Sequence, residues 1–303
     1  MSRTVTAPID PLGPTRAGTY EDAFVVVDAV HGPPRRRGLR SVRTEHFALT
    51  PVDGRLHVAH TLPPDAVDDD LAGLLERELF GPGWVRGPEL FERIFTGIVR
   101  STAPEALDSW ELFYRNTLRR AALAREEGGG SGHGSIAGYA PVHDHVLSLL
   151  EGRSVLELGC CFGFLSLQLA ASGWRTTASD VSPGTVRLLG EVAPRLGVSL
   201  GTVVADAARV PLEDDHADDV LVVHLLEHLD PEHGSRVVAE SVRLARRRVV
   251  VAVPFEDEPT EAYGHVRTVT TADLVAWGRA TGLPFDVHEH HGGWLVVDTA
   301  GLR

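Results

Sequence analysis

The sequence predicts an α/β protein whose C-terminal half is an open, mostly parallel sheet of seven strands ending in an antiparallel hairpin, preceded by a smaller α+β domain. Two observations carry this. From about residue 135 onward, short apolar runs alternate with segments of helical spacing, and right-handed crossovers turn that order into a parallel sheet. The last two strand-like runs, 285–291 and 294–299, are joined by Gly292 and Gly293. A glycine pair there signals a hairpin, because both central residues of a type I′ turn need positive φ.

Each element follows in order. Residues 1–20 are rich in Pro and Gly and read as a disordered tail. Residues 21–126 form a mixed α+β block expected to shape a substrate pocket. In it Phe24–Asp28 and Leu56–His60 read as strands, Leu71, Leu74, Leu75 and Leu79 recur at helical spacing, and Trp110–Arg125 reads as a further helix. Residues 127–134 are a Gly-rich linker or lid. The regular domain occupies 135–303. Val155–Leu158 is its first strand, and a helix over 163–172 has Gly173 at C′. Arg175–Ser179 ends at Asp180, and the next helix has Ser182 as N-cap and Pro183 at its first position. Gly201–Ala205 ends at Asp206, and Val220–Val223 is continuously apolar, as in a strand buried on both faces. Asp230 and Pro231 open a helix running to about Ala245, which Arg246–Arg248 close with cations suited to its C-terminal dipole. Val249–Val253 is a strand stopped by Pro254, and Thr271 begins a helix ending before Gly282.

Bulk properties narrow the function. A net charge of −13 argues against nucleic acid or an anionic membrane as the main partner, since both are held by Lys and Arg. The N-terminus lacks an apolar signal region and no apolar run spans a bilayer, so a cytoplasmic location is expected. Arg35–Arg37 lie in a Pro-rich turn and read as a solvated loop. The 2 cysteines are the neighbours Cys160 and Cys161, which suit neither a relaxed disulfide nor a zinc site, and no metal is assigned.

The informative segment is VLELGCCFG, Val155–Gly163. Glu157 lies near the end of the first strand, Gly159 permits a tight turn above it, and Gly163 lets the following helix approach closely. This resembles motif I of class I S-adenosylmethionine (SAM)-dependent methyltransferases, usually ELGCGTG, with Cys161 in place of the central glycine. The resemblance covers about residues 135–300. It implies a seven-stranded Rossmann-like methyltransferase sheet that binds SAM through Glu157, Gly159, Cys160, Cys161 and Gly163. Asp180 and Val181 would meet the ribose end, and Asp206 and Ala207 the adenine. Asp218 matches the acidic residue that opens the family's fourth strand. A nicotinamide cofactor prefers G-x-G-x-x-G with a helix N-terminus on pyrophosphate, a pattern that Cys161 breaks. Glu157 adds negative charge to the same mouth, which favours a cationic cofactor without phosphate.

HLLEHL, His224–Leu229, follows the fourth strand at the crevice where open α/β sheets bind ligands. It resembles the LEHL of many small-molecule methyltransferases. The run also matches H-x-x-E-H, a metalloprotease pattern that belongs on a helix, whereas this one starts at a strand end. Methyl transfer needs in-line alignment, and an alcohol acceptor must also lose a proton. His228 is the first choice of general base and His224 the second, with packing or capping as the bland alternative. YGHVRTVT, Tyr263–Thr270, resembles a stretch before the last helix of similar enzymes. It offers His265 as a further base, and Arg267 and Tyr263, with Glu227, as acceptor contacts, although Thr270 or Thr271 also serves as a helix cap. Tyr139, His143, Asp144 and His145 either line the methionine end of SAM or begin a helix, and His288–His291 read as a solvated strand end.

A narrower resemblance rests on PFEDEPTEAYGHVRT after LARRRVVVAV, together with the N-terminal block. It looks like the actinobacterial methyltransferase family linked to mycofactocin maturation, which implies O-methylation of an oligoglucoside chain. The expected function is therefore transfer of a methyl group to a hydroxyl of a small molecule or oligosaccharide. The alternatives are a non-catalytic SAM-binding module, a methyltransferase acting on carbon or nitrogen, and a nicotinamide oxidoreductase.

Overall fold

A computed structural model describes residues 9–14, 16, 18–30, 32, 41–126, 138–260 and 264–302. The chain divides into two compact units, Met1–Gly138 and Tyr139–Arg303. The expected linker at 127–134 lies outside the described residues.

The first unit holds a five-stranded sheet in the order β1-β2-β5-β4-β3. Its strands are β1 (Thr19–Glu21), β2 (Val25–Ala29), β3 (Val42–Arg43), β4 (Phe47–Val52) and β5 (Arg55–His60). β2 and β5 pair in parallel and the other neighbours antiparallel. Asp53 and Gly54, at φ 50° and 79°, make the two-residue turn between β4 and β5. The helices are α1 (Leu71–Leu75), extended by a π-helical turn at Glu76–Phe80, then α2 (Pro88–Arg100) and α3 (Ala106–Glu126). Leu90, Phe91, Ile94, Phe95, Ile98 and Val99 give α2 an apolar stripe at helical spacing, which the sequence analysis passed over. Gly97 lets α2 lie close on β2, since a Cβ there would enter the Val27 side chain. Residues 9–14, 16 and 18–20 of the stretch expected as a tail lie among the described residues. Trp110 donates Nε1–H to the Pro11 carbonyl at 2.7 Å, Arg100 donates to the Gly13 carbonyl at 2.5 Å, and Tyr20 is buried in β1. Burying a tryptophan and an arginine leaves their donors in need of acceptors, and the tail backbone supplies them.

The second unit begins with α4 (Ala140–Leu149), followed by β6 (Ser154–Leu158), α5 (Phe164–Ala171), β7 (Arg175–Asp180), α6 (Pro183–Arg195) and β8 (Gly201–Val204). It continues with β9 (Ala217–Val223), α7 (Pro231–Leu244), β10 (Ala245–Val253), α8 (Thr271–Thr281), β11 (Phe285–Glu289) and β12 (Gly293–Asp298). The seven strands run β11-β12-β10-β9-β6-β7-β8, parallel from β10 through β8, with β12 antiparallel to both its neighbours. The two faces follow the period of two. Leu156, Leu158, Val249, Val251, Leu295 and Val297 share one core with Val237, Leu274 and Trp277 of α7 and α8. Val155, Val250, Ala252 and Trp294 share the other with Val142, Val146, Leu165 and Leu169 of α4 and α5.

The predicted caps form. Ser182 Oγ accepts the Thr185 N–H, Asp230 Oδ1 accepts the His233 N–H at 2.8 Å, and Thr270 and Asp273 make a reciprocal capping box on α8. Three boundaries differ from expectation. Arg246–Arg248 belong to β10 and do not close a helix: Arg246 pairs with Asp218 at 2.9 Å and Arg248 donates to the Leu149 carbonyl at 2.5 Å. Local charge preference yielded there to the ladder with β9, which includes a register shift between Ala245 and Arg248. β8 stops at Val204, so Asp206 stands in the turn beyond the strand. The hairpin turn is His290–Gly292, with positive φ at His291 and Gly292. Gly293 instead pairs with Glu289 in the ladder, where Phe255 leaves no room for a Cβ.

Candidate active site

The parallel strands β6, β7 and β9 carry their C-terminal ends to one edge of the sheet, where open α/β folds place their ligands. After β6 the chain turns at Gly159, whose N–H and that of Cys160 both donate to the Ser179 carbonyl, at 2.8 and 2.9 Å. Gly159 and Gly163 take φ 73° and 72°, and Cys161 between them takes φ 49°. The turn therefore uses a left-handed conformation at the position where the resemblance expects glycine, and Cys161 carries the strain of a Cβ there. A Cβ on Gly159 would lie 2.8 Å from Leu225 Cδ1, so this turn packs directly on the segment after β9. Cys160 is buried and Cys161 exposed, and neither forms a disulfide. Burial pushes the Cys160 thiol well above its usual range, which makes it an inert packing group.

Asp180 closes β7 with Oδ2 accepting the Cys161 N–H at 3.0 Å and Oδ1 accepting the Ser182 N–H at 2.9 Å. One carboxylate thus fixes both the motif I turn and the start of α6. Val181 beside it is 70% exposed, an apolar surface offered at the strand tip. Asp206 accepts from the Ala208 N–H at 2.9 Å and pairs with His233 Nε2 at 2.7 Å, with Ala207 next to it. Burial alone would raise the Asp206 pKa, but Ala208, His233 and Arg236 outweigh it and hold the carboxyl below its usual range. Glu157 faces inward: it is 5% exposed and accepts from Ser166 Oγ of α5. Burial pushes its pKa up to about 7, with Ser166 opposing and Asp180 reinforcing the shift. Asp218 lies at the opposite end of the sheet, at the start of β9, accepting from the Arg153 and Ser154 N–H groups and from Arg246.

His224 leaves β9 with φ 52° and its ring edge against Tyr139, centroids 4.9 Å apart. A 3-10 turn, Leu226–His228, follows. His228 Nδ1 lies 3.2 Å from the Gly264 carbonyl, and the Val266 N–H donates to the Glu227 carbonyl at 2.9 Å, so residues 264–266 are stapled onto 227–228. This brings the His228 and His265 rings to 4.8 Å. His265 Nδ1 meets Glu256 Oε2 at 2.7 Å, and Glu256 also takes a bond from Thr260. A carbonyl only accepts, so neutral His228 carries its proton on Nδ1 and a lone pair on Nε2. Burial holds its pKa below the ordinary imidazole value, with His265 and His224 acting in the same direction and Glu227 and Gly264 against it. Glu227 is 1% exposed and no hydrogen bond reaches either carboxylate oxygen; His224 Nδ1 is 3.4 Å from Oε1.

Arg267 is held by Asp273 at 3.3 Å and over the Trp277 ring, so it braces the start of α8. Tyr263 lies outside the described residues. His143 reaches Gln168 of α5 at 3.3 Å. His145, His288 and His290 gather around Trp294, with His145 Nε2 and His288 Nε2 at 2.8 Å. Glu256 and Leu225 do not stand out in the sequence; Glu256 lies three residues past the C-terminal end of β10, which is the signal available for it.

The donor set at the strand tips is anionic and apolar: Asp180 and Asp206 with Val181 and Ala207, and no glycine-rich phosphate cradle. That suits a cofactor pairing adenosine with a sulfonium and an ammonium. Residues 156–253 match the family model described as "Methyltransferase domain". A ubiquinone biosynthesis O-methyltransferase of Aeromonas salmonicida is 26% identical over 175 residues, covering 51% of this chain and 68% of that protein. An uncharacterized methyltransferase of Mycobacterium tuberculosis is 32% identical over 108 residues, 36% of this chain and 42% of the relative. Among solved structures, the PH0226 protein of Pyrococcus horikoshii superposes with TM-score 0.46 at 16% identity, over 55% of this chain and 92% of that one.

Residues 156–253, within the unit 139–303, therefore carry a methyltransferase domain. The chain is a SAM-dependent methyltransferase.

Proposed function

We propose that the chain transfers the methyl group of SAM to a hydroxyl of a small molecule or glycan, with the acceptor seated at His228 and His265. The observation that carries this is the pairing of the two imidazoles in the segments that follow β9 and β10, each with Nδ1 tied to an acceptor. SAM supplies an electrophilic methyl on a positively charged sulfur. With SAM bound, the acceptor oxygen would displace the methyl carbon from sulfur, the electron pair would stay on sulfur, and the hydroxyl proton would have to go elsewhere. Within this reading the preferred acceptor is the oligoglucoside chain of mycofactocin, supported by the resemblance of residues 254–268 and by no local motif for a sugar.

The test has two parts. Calorimetry should give stoichiometric SAM binding that Asp180→Ala weakens at least tenfold, because the carboxylate that orders the turn is lost. Release of S-adenosylhomocysteine is then followed over glucosides, glycosylated mycofactocin and phenols. SAM binding without turnover on any hydroxyl acceptor would favour a non-catalytic module instead.

A further inference from the structure

We propose that Glu227, His228 and His265 hold one divalent transition-metal cation; the role given to it rests on the methyltransferase reading, whereas its binding does not. One donor atom from each of the three lies within 4.8 Å of the others. Ligands about 2.0–2.2 Å from a common first-row ion stand roughly 3–4 Å apart, so small side-chain rotations close the set.

The decisive feature is the Glu227 carboxylate. Buried carboxylates are satisfied by hydrogen bonds or a cation, because an isolated buried charge costs many kcal/mol. Here neither oxygen accepts a hydrogen bond, no arginine among the described residues forms an ion pair with it, and the contact with His224 Nδ1 at 3.4 Å supplies charge only when that imidazole is protonated. A histidine acting alone as base gives no reason for this anion; a cation does. The two histidines are arranged as metal ligands usually are. His228 Nδ1 is committed to the Gly264 carbonyl and His265 Nδ1 to Glu256, which fixes the tautomers and turns Nε2 into the ligating nitrogen. Two imidazoles and one carboxylate on one side of an ion leave positions for an acceptor oxygen. The mixed nitrogen and oxygen set favours Mn²⁺, Fe²⁺ or Zn²⁺ over Mg²⁺ or Ca²⁺, which prefer oxygen alone. Other clusters lack this feature: Asp68 and Asp70 both pair with Arg120, and His46 Nδ1 already meets Glu78 at 2.5 Å. A bound cation would lower the pKa of an acceptor hydroxyl, so that its proton leaves to solvent or to His224 before methyl transfer.

The full chain, stripped with chelator, is titrated with Mn²⁺ and with Zn²⁺ by calorimetry and thermal melting. We expect one ion per chain and a raised melting temperature. Glu227→Gln and His265→Asn should each weaken binding at least tenfold and leave SAM affinity unchanged. No binding by 1 mM metal, or binding that neither substitution changes, overturns the proposal. Absence of SAM binding in both the stripped and the metal-loaded wild type would instead sink the methyltransferase reading, so the two failures are distinguishable.

Discussion

Cys161 shows how a single residue carries a local cost. It sits at φ 49° in a turn flanked by two left-handed glycines. A side chain in that region costs about 1–2 kcal/mol, part of which returns as entropy lost by a more flexible glycine on folding. Cys161→Gly should therefore stabilise the protein by about 1 kcal/mol in urea titrations without weakening SAM binding; a destabilised variant would mean the thiol packs usefully. His60 is the second residue-scale case. It is fully buried in the first unit, with Nε2 on Ser101 Oγ at 2.7 Å, and burial lowers its pKa to about 4. The Ser101 hydroxyl donates to the Ile98 carbonyl, so His60 Nε2–H is the donor to Ser101 and the ring is neutral. A depressed folded pKa means the unfolded chain takes up the proton first as pH falls. The stability His60 contributes is thus fully present above pH 6.5 and lost towards pH 4, up to about 3 kcal/mol. Urea midpoints across that window should fall in wild type and fall less steeply in His60→Gln. Parallel curves would refute the assignment.

At the scale of elements, local rules worked where a few adjacent residues decide the outcome. The caps at Ser182, Asp230 and Thr270 were legible because a side-chain oxygen meets an N–H two or three residues away. Thr270→Ala, which removes half of the α8 capping box, is expected to cost about 1 kcal/mol by thermal melting, with little change if Asp273 caps alone. Elements decided by pairing were not legible in the same way. The Arg246–Arg248 run has helix-end chemistry but lies in β10, where Arg246 pairs with Asp218 and donates to the Asp215 backbone carbonyl, and Arg248 pairs with Glu151. The glycine pair 292–293 marked the hairpin correctly and its register by one residue too far, since Gly293 is needed in the ladder where Phe255 crowds it. Asp53-Gly54 and the apolar stripe of α2 were readable signals that went unread.

The whole molecule is organised by the strand order, which reverses direction around β6 and sends β7 and β9 to its two sides. That order is what places Asp180 on one flank of the motif I turn and Leu225 on the other. No helix among the described residues is long and apolar enough to cross a membrane. The second unit encloses both of its sheet faces with its own helices. We therefore expect a fragment of residues 139–303 to fold cooperatively and to bind SAM within threefold of the full chain. A fragment that is unfolded by circular dichroism would show that the first unit is required for stability.

Periodicity, turn residues and caps act within a turn or two of chain, so the alternating α/β pattern, the motif I turn and the carboxylates at 180 and 206 could be read from residue order. The meeting of His228 with His265, the turning of Glu157 inward to Ser166 and the isolation of the Glu227 carboxylate could not. The first depends on segments far apart in the chain, the second on α5 packing back onto β6, and the third on the burial of the turn after β9. Burial and partnership are properties of packed surroundings, and they exist only once the core has closed.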